Sequence, residues 1–171
     1  MKRILIILIA AVLIGAGAFY GLGKFSKSEA KSVSTPKETA TNNIPWIQLT
    51  RLDGSKIVAH DLESNVVLVV FQPDCDHCQR EAKEISEHLS SFKKYDLYFI
   101  SDAEMDKLSQ FAKDYKLHGE NNVHFVQATA NDIFNNFGAI PTPSLYVYSD
   151  NGHLEKSFIG ETPIENIMNS L

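Results

Sequence analysis

The chain has 171 residues, 44% hydrophobic and 22% charged, near the average for a compact domain, so it accommodates one folded domain with an appendage rather than two. Residues 44–171 carry ten basic against 19 acidic side chains, a balance of −9, which repels a polyanion and sets nucleic acid aside as a partner. Two cysteines exclude a multi-bridge scaffold and a four-thiolate zinc site, and both lie in Cys75-Asp76-His77-Cys78, so any sulfur chemistry is located there.

After Met1-Lys2-Arg3 the chain runs without a charge from Ile4 to Gly23. Twenty residues at about 1.5 Å each match a hydrocarbon core of about 30 Å, so 1–23 reads as a membrane anchor. Ala16-Gly17-Ala18 keeps a cleaved signal peptide open as the alternative. A basic-then-apolar segment at the extreme N-terminus is the usual export signal, which puts the domain outside the cytoplasmic membrane even though Lys24, Lys27, Lys31 and Lys37 follow the segment. Residues 24–43 hold Ser, Thr, Lys and Ala with almost no large apolar side chains and read as a flexible tether. The globular domain is expected over 44–171.

Within it, Trp46 to Thr50 and Lys56 to Val58 flank the turn Leu52-Asp53-Gly54-Ser55 and predict a hairpin. Val66 to Phe71 is six apolar residues in a row, the pattern of a strand buried on both faces. Gln72-Pro73-Asp74 turns the chain into a helix whose apolar residues Ala82, Ile85, Leu89 and Phe92 recur at steps of three and four. A strand over Asp96 to Ser101 follows, then a helix with Ser101 and Glu104 as its capping box, carrying Met105, Leu108, Phe111, Ala112 and Tyr115. Val123 to Val126 predicts another strand and Ala130 to Phe137 a short helix stopped by Gly138. Ser144 to Ser149 and Leu154 to Ile159 flank Asp150-Asn151-Gly152 as a second hairpin. The last helix is expected to use Thr162 as N-cap, Pro163 at its first position and Glu165 to complete a capping box. Strands alternating with helices place the chain in the α/β class, with a mixed sheet covered by helices on both faces.

The strand at Val66 to Phe71 and the helix after it meet at the cysteines. Sulfurs three positions apart at a helix start share one side of a turn and can join when oxidised. Cys75 sits where unpaired N–H groups and the positive end of the helix dipole favour an anion, so its thiolate is the attacking group, while Cys78, further in, is shielded and acts second. This predicts attack on a disulfide, a mixed-disulfide intermediate and resolution, or the same steps reversed. Two other readings of the dithiol stay open: a pair of buried or statically bridged cysteines, and a soft-metal site that holds copper. His60, His88, His118, His124 and His153 show no ligand-like spacing and read as surface or ordinary sheet histidines.

The segment Phe71-Gln72-Pro73-Asp74-Cys75-Asp76-His77-Cys78-Gln79-Arg80-Glu81, after an all-apolar strand, resembles the active site of thioredoxin-like proteins. Within that superfamily it resembles the membrane-anchored extracytoplasmic thiol-disulfide oxidoreductases of cytochrome c maturation. Phe137-Gly138 followed at the fifth residue by Pro143 resembles that superfamily's aromatic-Gly pair and cis-proline. The likeness covers about 44–171 and implies a thioredoxin-like mixed sheet flanked by helices, with an N-terminal β-hairpin and a helix-strand insertion between Ser101 and Gln127. It also implies that Pro143 lies beside the dithiol, that the backbone of Thr142 helps to hold the substrate chain, and that Glu81 assists proton movement near the sulfurs. A solvated helix charge is the alternative for Glu81.

The motif departs from the family in lacking an aromatic residue before Cys75 and a proline before Cys78. A protonated His77 in that gap would stabilise the Cys75 thiolate, whereas Asp74 and Asp76 oppose it, so these three are the expected redox-tuning residues. The function implied is a membrane-tethered extracytoplasmic disulfide reductase, catalytic at Cys75, Cys78 and Glu81, with a disulfide oxidase or isomerase as the reverse reading. It requires no cofactor beyond its own Cys75-Cys78 disulfide. Its partners would be exported client proteins with disulfides or dithiols, a membrane electron donor or acceptor, and the membrane itself through the N-terminal segment. A copper-delivery protein using the same dithiol is the alternative from a different class, although its relatives of this fold have a wider cysteine spacing. A peroxide-reducing enzyme is the third, and the Thr and Arg companions of a peroxidatic cysteine are not visible around Cys75 in the sequence.

Overall fold

A computed structural model describes residues 42–171. The anchor read over 1–23, and the tether as far as residue 41, lie outside the described residues. Asn42 and Asn43, read as the end of the tether, instead belong to the domain. Leu154 donates its N–H to the Asn42 carbonyl (2.9 Å), Asn43 forms a β-bridge to His153, and Ile44 donates to Gly152 (2.9 Å). Among the described residues no helix is long and apolar enough to cross a membrane.

The strands are β1 (Gln48–Arg51), β2 (Lys56–Val58), β3 (Asn65–Val70), β4 (Tyr95–Ser101), β5 (Val123–Gln127), β6 (Ser144–Tyr148) and β7 (Leu154–Ile159). They form one sheet in the order β2-β1-β5-β4-β3-β6-β7. The pairs β3/β4 and β4/β5 are parallel and the remaining neighbours antiparallel. The helices are α1 (Asp76–Glu87), α2 (Met105–Asp114), α3 (Ala130–Phe137) and α4 (Ile164–Met168). The mixed sheet and both hairpins are those the sequence pattern predicts.

Strand β3 explains why its run has no polar alternation. Val67 and Val69 pack on one face of the sheet with Ala82, Ile85, Phe99 and Phe111, while Val66, Leu68 and Val70 pack on the other with Ile47, Tyr98, Tyr146 and Tyr148. Both faces are dry, so every side chain in the run must be apolar. At about 1.5–3 kcal/mol for each fully buried large aliphatic side chain, this strand is a principal source of stability. Phe71 extends it by one residue and sits edge-on to Phe99 (5.6 Å) and tilted against Phe111 (4.8 Å). That anchor fixes the strand end from which the cysteine turn departs.

Three helix boundaries differ from the sequence reading. The first helix ends at Glu87, and Leu89–Phe92 continues as a 3-10 turn that still buries Phe92. Ser101 does not cap α2: it stays in register opposite Gln127 at the end of β4, and its hydroxyl accepts from Ala103 N–H (3.2 Å) and donates to Gln72 (3.3 Å). Glu104 is the N-cap residue instead, without a side-chain bond. Likewise Thr162 does not cap α4, because its hydroxyl donates to the Gly160 carbonyl (3.0 Å); Pro163 is the N-cap residue. In both cases a tertiary or turn bond satisfies the side chain that the capping pattern would use. Helix α3 matches its reading over Ala130 to Phe137, and Gly138 closes it at φ +79°, a conformation that costs a glycine little; its start, which the sequence reading left without a cap, is capped by Thr129 on Asp132 N–H (3.0 Å).

Candidate active site

Both sulfurs stand where β3 hands over to α1. Cys75 is the N-cap residue of α1, and its sulfur accepts the N–H of Cys78 at 3.4 Å. The thiol of Cys75 also donates to the Thr142 carbonyl (3.5 Å), so the cysteine turn touches the loop before β6. That loop contains the cis peptide Thr142–Pro143, the bond that the resemblance to thioredoxin-like proteins implies. Both cysteines are free; Cys75 is half-buried and Cys78 is 2% exposed.

Their surroundings separate the two thiols. Burial works against the Cys75 thiolate, but hydrogen bonds from the Cys78 thiol and N–H, from the Thr142 side chain and from the His77 backbone outweigh it, so its pKa falls below that of an ordinary thiol. Cys78 is pushed up to about 12, first by burial and then by the neighbouring Cys75. The N–H of Gln72 donates to the Cys78 sulfur at 3.5 Å and only partly offsets this. One sulfur is therefore partly accessible and ionisable, the other enclosed and protonated.

Glu81 lies one turn beyond Cys78 on α1 and is 3% exposed, which excludes the solvated-charge alternative. Its Oε2 accepts from Thr162 N–H (3.1 Å), and its Oε1 is buried with no hydrogen-bond partner. Burial raises its pKa to about 7, the Thr162 bond working against that and the Glu161 charge adding to it. A half-satisfied carboxylate in such a place accepts a proton readily.

The expected redox-tuning residues are placed differently from one another. Asp74 forms an ion pair with Lys107 of α2 (2.6 Å), which offsets the negative charge it was expected to bring to Cys75. Asp76 is the acidic residue of the first turn of α1, where the helix dipole favours it. His77 is exposed and directs Nδ1 at Glu161 and at Arg80 Nη2 (2.7 Å). That single nitrogen either donates to the carboxylate or accepts from the guanidinium, according to where its proton sits. Arg80 also pairs with Glu161 through two parallel bonds, Nε to Oε1 at 2.7 Å and Nη2 to Oε2 at 2.8 Å. Glu161 is held down to about 2 by Arg80 and then His77.

The sequence reading missed Gln72, Arg80, Lys107, Glu161 and Thr162 as contributors to the site. Arg80 falls inside the quoted motif and is three residues from His77, a helical-neighbour spacing that signals contact. Nothing local marks Lys107 or Glu161, which arrive from α2 and from the loop after β7. Between that loop and α1 opens a cleft of about 600 Å³ lined by Arg80, Glu81, Glu84, Glu161 and Thr162 among others. Beside Thr142, a smaller groove of about 190 Å³ is lined by Ile133, Phe134 and Ile140. His124, in β5, stacks on Tyr98 (4.6 Å) with Asp96 at 3.7 Å, an ordinary half-buried sheet histidine.

The family profile described as AhpC/TSA matches residues 40–157. No curated protein sequence matches the chain. Among solved structures it is similar to a secreted Mycobacterium tuberculosis disulfide oxidoreductase homologous to E. coli DsbE, at 18% identity over 73% of this chain and 93% of that one, TM-score 0.59. It is similar to a thioredoxin-like protein from Porphyromonas gingivalis at 19% identity, covering 74% and 88%, TM-score 0.60. A third likeness is Arabidopsis thaliana ScoI with copper bound, at 12% identity, covering 72% and 91%, TM-score 0.59. At such identities the likeness establishes the fold, which is thioredoxin-like.

Proposed function

The chain belongs to the AhpC/TSA family and is a thiol oxidoreductase, and from that premise we propose that it reduces disulfides in exported proteins, held outside the cytoplasmic membrane by its N-terminal segment. The observation that carries this reading is the division of labour between the sulfurs: Cys75 is accessible with a lowered pKa, and Cys78 is enclosed with a raised one. An exchange reaction needs one thiolate to attack and one thiol that waits.

In the forward direction the Cys75 thiolate attacks one sulfur of a substrate disulfide. The substrate S–S bond breaks, its other sulfur leaves as a thiolate and takes a proton, and Cys75 is joined to the substrate. Cys78 then loses its proton, and its sulfur attacks that of Cys75. The second substrate sulfur departs and is protonated, leaving a Cys75-Cys78 disulfide. Two electrons have passed to the substrate, and an external dithiol, supplied by a membrane electron donor, must return them. Glu81 is the base for the second step, since its Oε1 is unbonded and its pKa of about 7 lies near the operating pH. The substrate chain lies along Thr142 and Pro143, the apolar groove at Ile133, Phe134 and Ile140 receiving a side chain.

A copper carrier on the same sulfurs is the reading from a different class, and a copper(I) titration of the reduced chain separates the two, a tight one-to-one complex at physiological thiol levels favouring delivery. The test is insulin reduction by the full chain with a small dithiol as donor, beside hydrogen peroxide consumption as the peroxidatic control. Wild type should turn over insulin, Cys75→Ser should abolish it, and Cys78→Ser should accumulate the mixed disulfide. Insulin turnover that is absent from the wild type, or unaffected by Cys75→Ser, overturns the reading.

A further inference from the structure

The loop from β7 to α4 touches the site at three consecutive residues. Gly160 donates its N–H to the carbonyl of Pro143 (2.9 Å). The Glu161 carboxylate takes Arg80 in two bonds, at 2.7 and 2.8 Å, and meets His77. Thr162 donates its N–H to Glu81 Oε2 at 3.1 Å. One short segment thus joins the cis-proline loop, the exposed edge of the dithiol helix and its buried carboxylate.

The charged and titratable groups around Cys75 come from four elements. From α1 these are Asp76, His77, Arg80, Glu81 and the Cys78 thiol; from the preceding turn, Asp74; from α2, Lys107, which is paired with Asp74. The fourth is Glu161. Of the cations, Arg80 cannot lose its charge and stands close enough to interact with a charge on Cys75. Left alone, it would stabilise the thiolate. Its guanidinium is instead forked onto Glu161, a geometry that matches two N–H donors to two carboxylate oxygens.

We propose that Glu161 is a positioning residue for the dithiol: its carboxylate cancels Arg80 and turns His77 away from Cys75, and so keeps the Cys75-Cys78 couple on the reducing side. This rests on the disulfide-exchange reading. The couple interconverts with glutathione as disulfide plus two glutathione thiols giving dithiol plus oxidised glutathione, so every electron and proton is supplied by the named reductant. Any change that stabilises the Cys75 thiolate stabilises the reduced protein and makes the couple more oxidising. Removing the Glu161 charge is such a change. It also removes one of the influences that raise the Glu81 pKa, so the same substitution acts on both protonation events.

The experiment measures the pH dependence of Cys75 alkylation by iodoacetamide in the reduced full chain, located by mass spectrometry, at low ionic strength. The same proteins are then equilibrated with glutathione. In Glu161→Gln the alkylation midpoint should fall by about half a pH unit, and the dithiol-to-disulfide ratio at fixed glutathione should rise about threefold. Glu161→Asp should restore most of both. Arg80→Gln in the Glu161→Gln background should bring the midpoint most of the way back, which a merely structural loss would not do. An unchanged midpoint in Glu161→Gln, or a shift that the second substitution fails to reduce, overturns the proposal. Insulin turnover by the wild type reports separately on the exchange reading. A chain inactive on insulin but shifted by Glu161→Gln keeps the electrostatic role and loses the reading, and the reverse result keeps the reading and loses the role.

Discussion

Glu81 and Glu161 are the same chemical group set against the same helix, and the fold drives them in opposite directions. Glu161 lies on the rim with Arg80 and His77 as partners and is held down to about 2; Glu81 lies beneath with one backbone donor and is raised to about 7. The difference is one of solvent and partners: the rim carboxylate keeps water and gains the Arg80 guanidinium, while the buried one loses water and gains a single N–H. A carboxylate of the first kind arranges charge, and one of the second kind handles protons.

The largest effect that would break this contrast is on turnover. Glu81→Gln keeps the acceptor for Thr162 N–H but cannot take a proton, so insulin reduction should fall by about a hundredfold while Cys75 alkylation persists. Equal loss of both would show a packing role only. The second effect is on stability. Because the folded Glu81 holds its proton up to about pH 7 and the unfolded one releases it near 4.5, the folded state binds more protons between these values, so stability falls as pH rises from about 4.5 to 7 and then levels off. The total drop is on the order of 3 kcal/mol, and denaturant melts of Glu81→Gln should lack it. Glu161 has the opposite sign. Its stabilisation is present above about pH 4.5 and lost as pH falls toward 2; being solvated, it should be a fraction of that size and should vanish in 1 M salt, where the Glu81 slope survives. The smallest effect is at Asp74: Lys107→Gln frees its carboxylate and should raise the Cys75 alkylation midpoint by about 0.2 pH units, a shift that salt erases.

Much of the fold was legible because its signals are local. Six apolar residues at Val66 to Phe71 can be satisfied only by a strand dry on both faces, and Asp150-Asn151-Gly152 between alternating segments can only turn. Of the site, the dithiol at the head of α1 followed from spacing within one segment, and the cis bond at Pro143 from the resemblance to thioredoxin-like proteins. The capping boxes failed for a stated reason: Ser101 is held in the β4–β5 ladder and Thr162 in a bond to Gly160, so neither side chain was free for a helix. The reading of Asp74, Asp76 and His77 as redox-tuning residues did not include Lys107 and Glu161, which are distant in sequence and engage two of the three.

The amino-acid order alone determined where any sulfur chemistry is located, because two sulfurs at the first turn of a helix after a buried strand lie within one local geometry. Which carboxylate would be buried and which cation would be cancelled depended on elements 30 to more than 80 residues away. Charge and burial act through space rather than along the chain, so only the folded arrangement of α1, α2 and the loop after β7 could decide them.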